Sequence, residues 1–209
     1  MKLILAGATG LVGRHVLALA LDDARIGTVV APTRRALPAH PKLLAPVVDF
    51  DRLPEDAPWW RADAVVCALG TTMKAAGSRE AFCRIDYDYP LAIARLAHRH
   101  GTPAYALNSA KGADPASRIF YSRVKGELEQ ALQAIGFRSL TFVRPGLIGG
   151  ERAERRGGEH FASVVLGSLE PLLPRGWRIN PAPNIARHLL EAAIAAQEGV
   201  HAVESAALA

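Results

Sequence analysis

The opening stretch of the chain, as far as Gly13, constrains the fold more than any other. Leu3 to Ala6 is a short apolar run that reads as a buried strand. Glycines follow at a spacing of three, at Gly7, Gly10 and Gly13, and the helical pattern beyond them puts Val12, Val16, Leu19 and Ala20 on one face. A strand that turns through glycines into a helix is shaped to hold a pyrophosphate. Gly7 permits the tight turn, Gly10 lets the backbone approach the phosphates, and Gly13 lets the helix pack close to the strand. The helix start then offers free N–H groups and the positive end of its dipole to an anion. Ala8, Thr9, Leu11 and Val12 complete this candidate loop. The spacing is Gly-x-x-Gly-x-x-Gly rather than Gly-x-Gly-x-x-Gly, and taken alone it also suits a plain tight turn.

Strands and helices alternate after that point. Apolar runs at Thr28–Ala31, Leu44–Val48, Asp63–Leu69, Ala104–Leu107 and Arg138–Arg144 read as further strands. Helical patterns cover Ser78–His100, with a kink or a break predicted at Pro90, and Ser117–Ile135. Such alternation predicts an α/β, Rossmann-like, doubly wound parallel sheet. Pro54–Trp60 reads as a loop or short helix, with Trp59 and Trp60 as packing residues. From Gly149 the composition changes. Glu151–Glu159 is a charged, glycine-rich loop and a candidate lid. Phe161–Leu169 is a candidate helix, Ile185–Gln197 an amphipathic helix, and Val200–Glu204 a last strand. At 209 residues, the chain is read as a single dinucleotide-binding domain, with residues 150–198 as a small substrate-side cap.

Composition narrows the function. Half of the residues are hydrophobic, enough for a sizeable core. No apolar run approaches about 18 residues, so no membrane partner is expected. The formal charge of +5 is spread along the chain, densest at Arg152, Arg155 and Arg156, and no aromatic-rich basic module accompanies it; no nucleic-acid partner is expected. Two cysteines, Cys67 and Cys83, sit in apolar company and read as free thiols. With no signal-peptide pattern at the start, they point to a reducing, cytoplasmic setting. Seven histidines lack ligand spacing with a carboxylate, so no metal is expected. His98 and His100 suit the C-terminal end of a helix. Glu127 and Glu129 read as solvated helix surface.

The strand ends carry the candidate chemistry. The second strand ends in Thr33, Arg34 and Arg35, with no acid where a ribose hydroxyl would be met. Guanidinium groups suit a 2′-phosphate by charge and forked geometry, which favours NADP(H) over NAD(H), kept as the alternative. Asp49 and Phe50 close the third strand, where adenine would lie, although Asp49 equally suits a turn cap. The fourth strand runs out through Ala68, Leu69, Gly70 and Thr71, leaving room for a cofactor at the sheet edge. Tyr121 and Lys125 stand four apart on one helix face. A lysine beside a tyrosine favours the phenolate and lowers the tyrosine pKa, which suits proton transfer at a carbonyl or hydroxyl carbon. Ser109, at the end of the fifth strand, is a candidate to hold the substrate oxygen or the tyrosine.

These pieces together resemble the short-chain dehydrogenase/reductase superfamily, in its extended or atypical form. The resemblance rests on Gly7 to Gly13, Ser109, Tyr121-Ser122-Arg123-Val124-Lys125 and Arg144-Pro145-Gly146, and it spans most of the chain. Cys67 to Thr72, Lys111-Gly112-Ala113-Asp114 and Val48-Asp49-Phe50 are similar to the branch of Tat-interacting-protein-like oxidoreductases and their bacterial relatives. The resemblance implies a bound NADP(H), Tyr121 as acid/base, Lys125 on the nicotinamide ribose, Ser109 as polar partner, and Pro145-Gly146 beside the nicotinamide. It departs from the pattern in two places. Cys67 to Thr72 replaces an Asn-Asn-Ala-Gly motif, and Asp86 is the nearest match to a relay asparagine. The expected activity is oxidoreduction of a small carbonyl or hydroxyl compound by a monomer or homodimer. The alternatives are an NADPH-binding redox sensor or regulator, and an epimerase or dehydratase that retains its cofactor.

Overall fold

A computed structural model describes residues 1–149 and 178–209. The expected lid over Glu151–Glu159, the helix over Phe161–Leu169 and the arginine group at 152–156 lie outside the described residues. Seven strands form one parallel sheet: β1 (Lys2–Ala6), β2 (Thr28–Val30), β3 (Leu43–Leu44), β4 (Ala64–Cys67), β5 (Ala104–Asn108), β6 (Ser139–Arg144) and β9 (Gly199–Glu204). Their order is β3-β2-β1-β4-β5-β6-β9, with β1 and β4 side by side at the point where the winding reverses. Ligands of such sheets bind outside the strand C-termini at this reversal. Two-residue strands β7 (Ile148–Gly149) and β8 (Asn180–Pro181) pair separately.

Strand residues alternate between two cores, as a pleated backbone requires. Leu3 and Leu5 of β1 face a layer with α1 (Leu11–Asp22) and α6 (Ala182–Ala195), where Val12, Val16, Ala20, Ile185 and Leu189 are buried. Ile4 and Ala6 face the other layer, with α4 (Tyr89–Arg99) and α5 (Phe120–Gln133), where Ile93, Leu128 and Leu132 are buried. Trp59 and Trp60 close this second core. Helix α6 belongs to a sheet layer, packed with α1. The described helical part of the expected cap is therefore scaffold.

Three differences in boundary have local causes. β3 ends at Leu44 because Pro46 has no N–H to give the ladder. Pairing resumes only as a single bridge between Thr33 and Val47. α6 starts at Ala182 rather than Ile185, since Pro183 lies in the first turn, where no donor is needed. The kink or break predicted at Pro90 is a π-helical turn over Arg84–Asp88, between α3 (Arg79–Cys83) and α4. Pro90 cannot donate to the carbonyl four residues earlier, that of Asp86, and its ring crowds it. The widened turn relieves both problems.

Candidate active site

The glycine turn is built by contact between backbones. Gly7 has φ +86°, and a Cβ there would stand 2.7 Å from the Ala68 carbonyl carbon. A Cβ on Gly13 would overlap the Gly7 carbonyl oxygen. Gly10 N–H donates to Gly7 O at 2.9 Å and closes the turn. Gly10 also caps α1 without a side-chain hydrogen bond, and no acid lies in the first helical turn. The first N–H groups of α1 therefore face the crevice with nothing anionic in their own turn to meet them. Ala8 and Val12 are buried in the core, so their contribution to any ligand comes through the backbone. Thr9 is exposed and Leu11 half-buried.

At the end of β2, Thr33 is buried and its hydroxyl bonds the Arg35 backbone. Arg34 and Arg35 are exposed and make no ion pair among the described residues. Asp49 caps a turn through its side chain, accepting from the Asp51 N–H at 2.9 Å. Phe50 is core, its ring 5.5 Å from that of Tyr89. Only its backbone remains to face a ligand.

Across the crevice, α5 carries Tyr121 and Lys125. Lys125 is buried, and its Nζ meets Asp86 Oδ1 at 2.8 Å, with side-chain exposures of 3% and 1%. The other Asp86 oxygen accepts the Thr71 N–H at 2.8 Å. Gly70 lies directly over the pair: a Cβ there would be 3.3 Å from Asp86 Oδ1 and 3.8 Å from Lys125 Nζ. Gly126 lets α5 pack against the loop that precedes it; a Cβ would overlap the Asp114–Pro115 backbone. Burial pulls the Lys125 pKa down, but Asp86 and Tyr121 together raise it above its ordinary value.

Tyr121 is 37% exposed, with its ring 5.7 Å from Phe82. Its phenol has no hydrogen-bond partner among the described residues. The lowered tyrosine pKa expected from a neighbouring lysine is not what the site produces. Desolvation raises it, Lys125 draws it down, Asp86 raises it again, and the net direction is upward.

Ser109 is placed differently from expectation. Its hydroxyl donates to Glu129 Oε1 at 2.5 Å in a buried setting. Glu129, read from the sequence as solvated surface, is 3% exposed and receives two bonds from the Arg144 guanidinium, at 3.0 and 2.6 Å. Arg144 reaches on to Glu204 at 2.9 Å. Serine, glutamate and arginine thus tie β5, α5, β6 and β9 together. Glu127 is on the surface as expected, 3.9 Å from Arg123. Pro145 and Gly146 follow β6. The Pro145 carbonyl accepts the Lys111 N–H at 2.8 Å, and Gly146 N–H donates to Asn180 Oδ1 at 2.7 Å. Asn180 and Ser205, which hold this corner, were not singled out by sequence reasoning, and no local pattern marks them. No group of metal-binding side chains occurs among the described residues. Cys67 and Cys83 are free thiols.

A glycine turn and a Tyr–Lys helix at the reversal point of a 3-2-1-4-5-6 parallel sheet define a Rossmann protein of the short-chain dehydrogenase/reductase class. No family model matches the chain, but individual relatives do. It is 35% identical to the protein fmp52 of Aspergillus fumigatus over 210 residues, covering 93% of this chain and 88% of that one. It is 34% identical to HTATIP2 of Rattus norvegicus over 194 residues, covering 90% and 79%. The chain belongs to the short-chain dehydrogenase/reductase superfamily, in the branch that holds HTATIP2 and the fmp52 proteins. Solved structures agree on the fold. MoeE5, in complex with UDP-glucose and NAD, superposes with a TM-score of 0.73 at 15% identity, covering 97% of this chain and 75% of that one. The Bordetella bronchiseptica enzyme WbmH, in complex with NAD+, gives 0.68 at 16% identity, covering 98% and 75%. The cytoplasmic setting expected from the sequence is not upheld, because the fmp52 relatives are named mitochondrial. Among the described residues no helix is long and apolar enough to cross a membrane.

Proposed function

We propose that this protein is an NADP(H)-dependent oxidoreductase acting on a small carbonyl or hydroxyl compound, with Tyr121 as the proton-transfer group. The observation that carries the reading is the convergence of the glycine turn, the β4 loop and the Tyr121–Lys125 pair at one edge of the sheet. A pyrophosphate fits the turn: a Cβ at Gly7 or Gly13 would collide with neighbouring backbone, and the α1 start carries no competing acid. Solved neighbours hold NAD, which supports a nicotinamide dinucleotide. Two exposed arginines at the β2 end, with no carboxylate partner among the described residues, support the phosphorylated form.

When bound, the dinucleotide supplies or accepts a hydride. The chain's own groups do the rest. The α1 start and the glycine turn seat the phosphates. Arg34 and Arg35 attract the 2′-phosphate. Ala68 to Thr71 and Pro145-Gly146 border the space between. Lys125 presents a buried ammonium one helical turn from Tyr121, and Tyr121 gives or takes the proton at the substrate oxygen. Ser109 spends its hydrogen on Glu129 and serves as an anchor for the strand ends.

Equilibrium binding of NADPH and NADH to the wild type and to the Arg34→Ala/Arg35→Ala variant tests the cofactor. NADPH affinity is expected to fall in the variant while NADH affinity stays level. Absence of binding for both nucleotides would sink the reading. Turnover on a panel of carbonyls, alcohols and quinones tests the reaction. Tyr121→Phe is expected to cut the rate by about 10²–10⁴-fold and to leave nucleotide affinity unchanged.

A further inference from the structure

Asn108, the last residue of β5, carries a carboxamide to which the reaction above gives no part. Its Oδ1 is shut off from solvent and meets no hydrogen-bond donor among the described residues, while the residue as a whole stays partly exposed. A buried amide oxygen without a donor costs stability, so its presence calls for a reason outside the packing. The strand places this amide. Ala104 and Ala106 face the α1–α6 layer, and Tyr105 and Leu107 face the α4–α5 layer. The ladder to β6 runs on through Asn108 opposite Val143, which also belongs to the α1–α6 layer. Alternation therefore turns Asn108 toward the α1 side, at the strand end where the crevice opens. Ser109 turns the other way and has already given its hydroxyl to Glu129.

We propose that Asn108 recognises the nicotinamide carboxamide, amide to amide. This rests on the oxidoreductase reading and adds the residue by which the site tells the reactive end of its cofactor. The ends of the crevice set its direction. The glycine turn at β1 seats the pyrophosphate, and Arg34 and Arg35 beyond β2 take the adenosine side, so the other half of a dinucleotide runs over β4 and β5. Asn108 stands on that half, two strands from β1 and about 10 Å along the sheet. Pro145 and Gly146 follow the neighbouring strand, β6. A primary carboxamide offers an acceptor and donors side by side, so two of them can meet through a pair of hydrogen bonds. With no donor to lose, the Asn108 oxygen can turn to meet one, and the exposed part of the residue gives access. Asn108 carries neither charge nor proton in the reaction; its part is binding and orientation.

The test is calorimetric binding to the full chain, with no turnover needed. The probes are NADP+, its 3-acetylpyridine analogue, in which a methyl replaces the amide NH2, and 2′,5′-ADP, which lacks the nicotinamide riboside (NAD+, its analogue and ADP where wild type prefers the unphosphorylated form). Wild type is expected to bind NADP+ about tenfold more tightly than the analogue. Asn108→Leu should lower NADP+ affinity by about tenfold, bring NADP+ and the analogue level, and leave 2′,5′-ADP unchanged. Asn108→Ala, which cannot overfill the site, should do the same. Without ligand, Asn108→Leu is expected to unfold at no lower urea concentration than wild type, since it loses an amide that has no partner. If wild type does not distinguish the analogue, or the variants keep the distinction, the assignment is overturned while the oxidoreductase reading stands. A loss shared equally by 2′,5′-ADP also overturns it, because that reports a structural role. Absence of binding for both NADP+ and NAD+ sinks the assignment and the oxidoreductase reading together.

Discussion

The two walls of the crevice are made in different ways. The β1–α1 wall is shaped by missing atoms: Gly7 and Gly13 leave gaps that backbone fills, and no acid lies in the first turn of α1. The α5 wall is shaped by charges: Lys125 forms a buried ion pair with Asp86, and the buried Glu129 pairs with the partly exposed Arg144. The first wall should tolerate no added atom. The second should tolerate changes that keep charge matched, and fail when one partner is removed alone. A wall of the first kind is ready before any ligand arrives. One of the second kind sets the protonation of whatever it touches.

The largest effects separate the walls most clearly. Gly13→Val pushes a branched side chain into the Gly7 carbonyl and the Ala8 Cα, neither of which is a flexible tip. A loss of about 3 kcal/mol or more is expected in urea unfolding, together with loss of nucleotide binding. Wild-type behaviour would show that the turn is not closed as described. Lys125→Met leaves Asp86 buried and unmatched, at a cost of about 3–5 kcal/mol. Lys125→Met/Asp86→Leu removes both charges at similar volume and should recover most of that loss, although not the activity. If the double variant is no more stable than the single one, the pair is not what holds this wall.

The walls were also unequally legible in the sequence. Glycine spacing after an apolar run marks a backbone-built turn directly, and Gly7, Gly10 and Gly13 are where that pattern puts them. The i, i+4 spacing of Tyr121 and Lys125 was equally readable. Glu129 was not, because charge on a helix reads as surface by default. A signal was present all the same: Glu129 lies four residues after Lys125, on the stripe that also buries Val124, Leu128 and Leu132. Asp86 was marked only by the resemblance, as the nearest match to a relay asparagine, and its partner needed the fold. Nothing local says that Pro90 will be met by a π turn, or that this turn will point a carboxylate at a lysine from another helix. Ser109 shows the same limit from the other side. Its place at a strand end was legible, but its partner depends on how β5, α5 and β6 pack.

Ser109→Ala breaks one bond of the Glu129 anchor and leaves the Tyr121–Lys125–Asp86 set intact. About 1 kcal/mol of stability is expected to go, with kcat falling less than tenfold, well short of the loss in Tyr121→Phe. A rate loss equal to that of Tyr121→Phe would return Ser109 to the proton chemistry.

The smallest effects lie in the pH limits of stability, and they differ at the two ends. Burial raises Cys67 from its ordinary 9.0 and Tyr105 from 10.0, and Lys125 stands above 10.5 because Asp86 and Tyr121 outweigh burial. A raised folded value means that the native state keeps a proton the unfolded chain releases. These contributions are complete below the ordinary values and are lost as pH rises through the folded ones, so the alkaline decline should begin near pH 9. At the acid end Asp23 is lowered from 3.8 to about 2 by hydrogen bonds from Arg25. Its contribution is present above 3.8 and lost as pH falls through about 2. Asp23 sits in a surface pair with the exposed Arg25, so its share of the acid limb should be slight and should shrink further in salt. Cys67→Ala should move the start of the alkaline decline upward, whereas Asp23→Asn should barely move the acid midpoint. The reverse ranking in urea midpoints across pH would mean that surface pairs, rather than the buried groups of the α5-side core, set the limits of this fold.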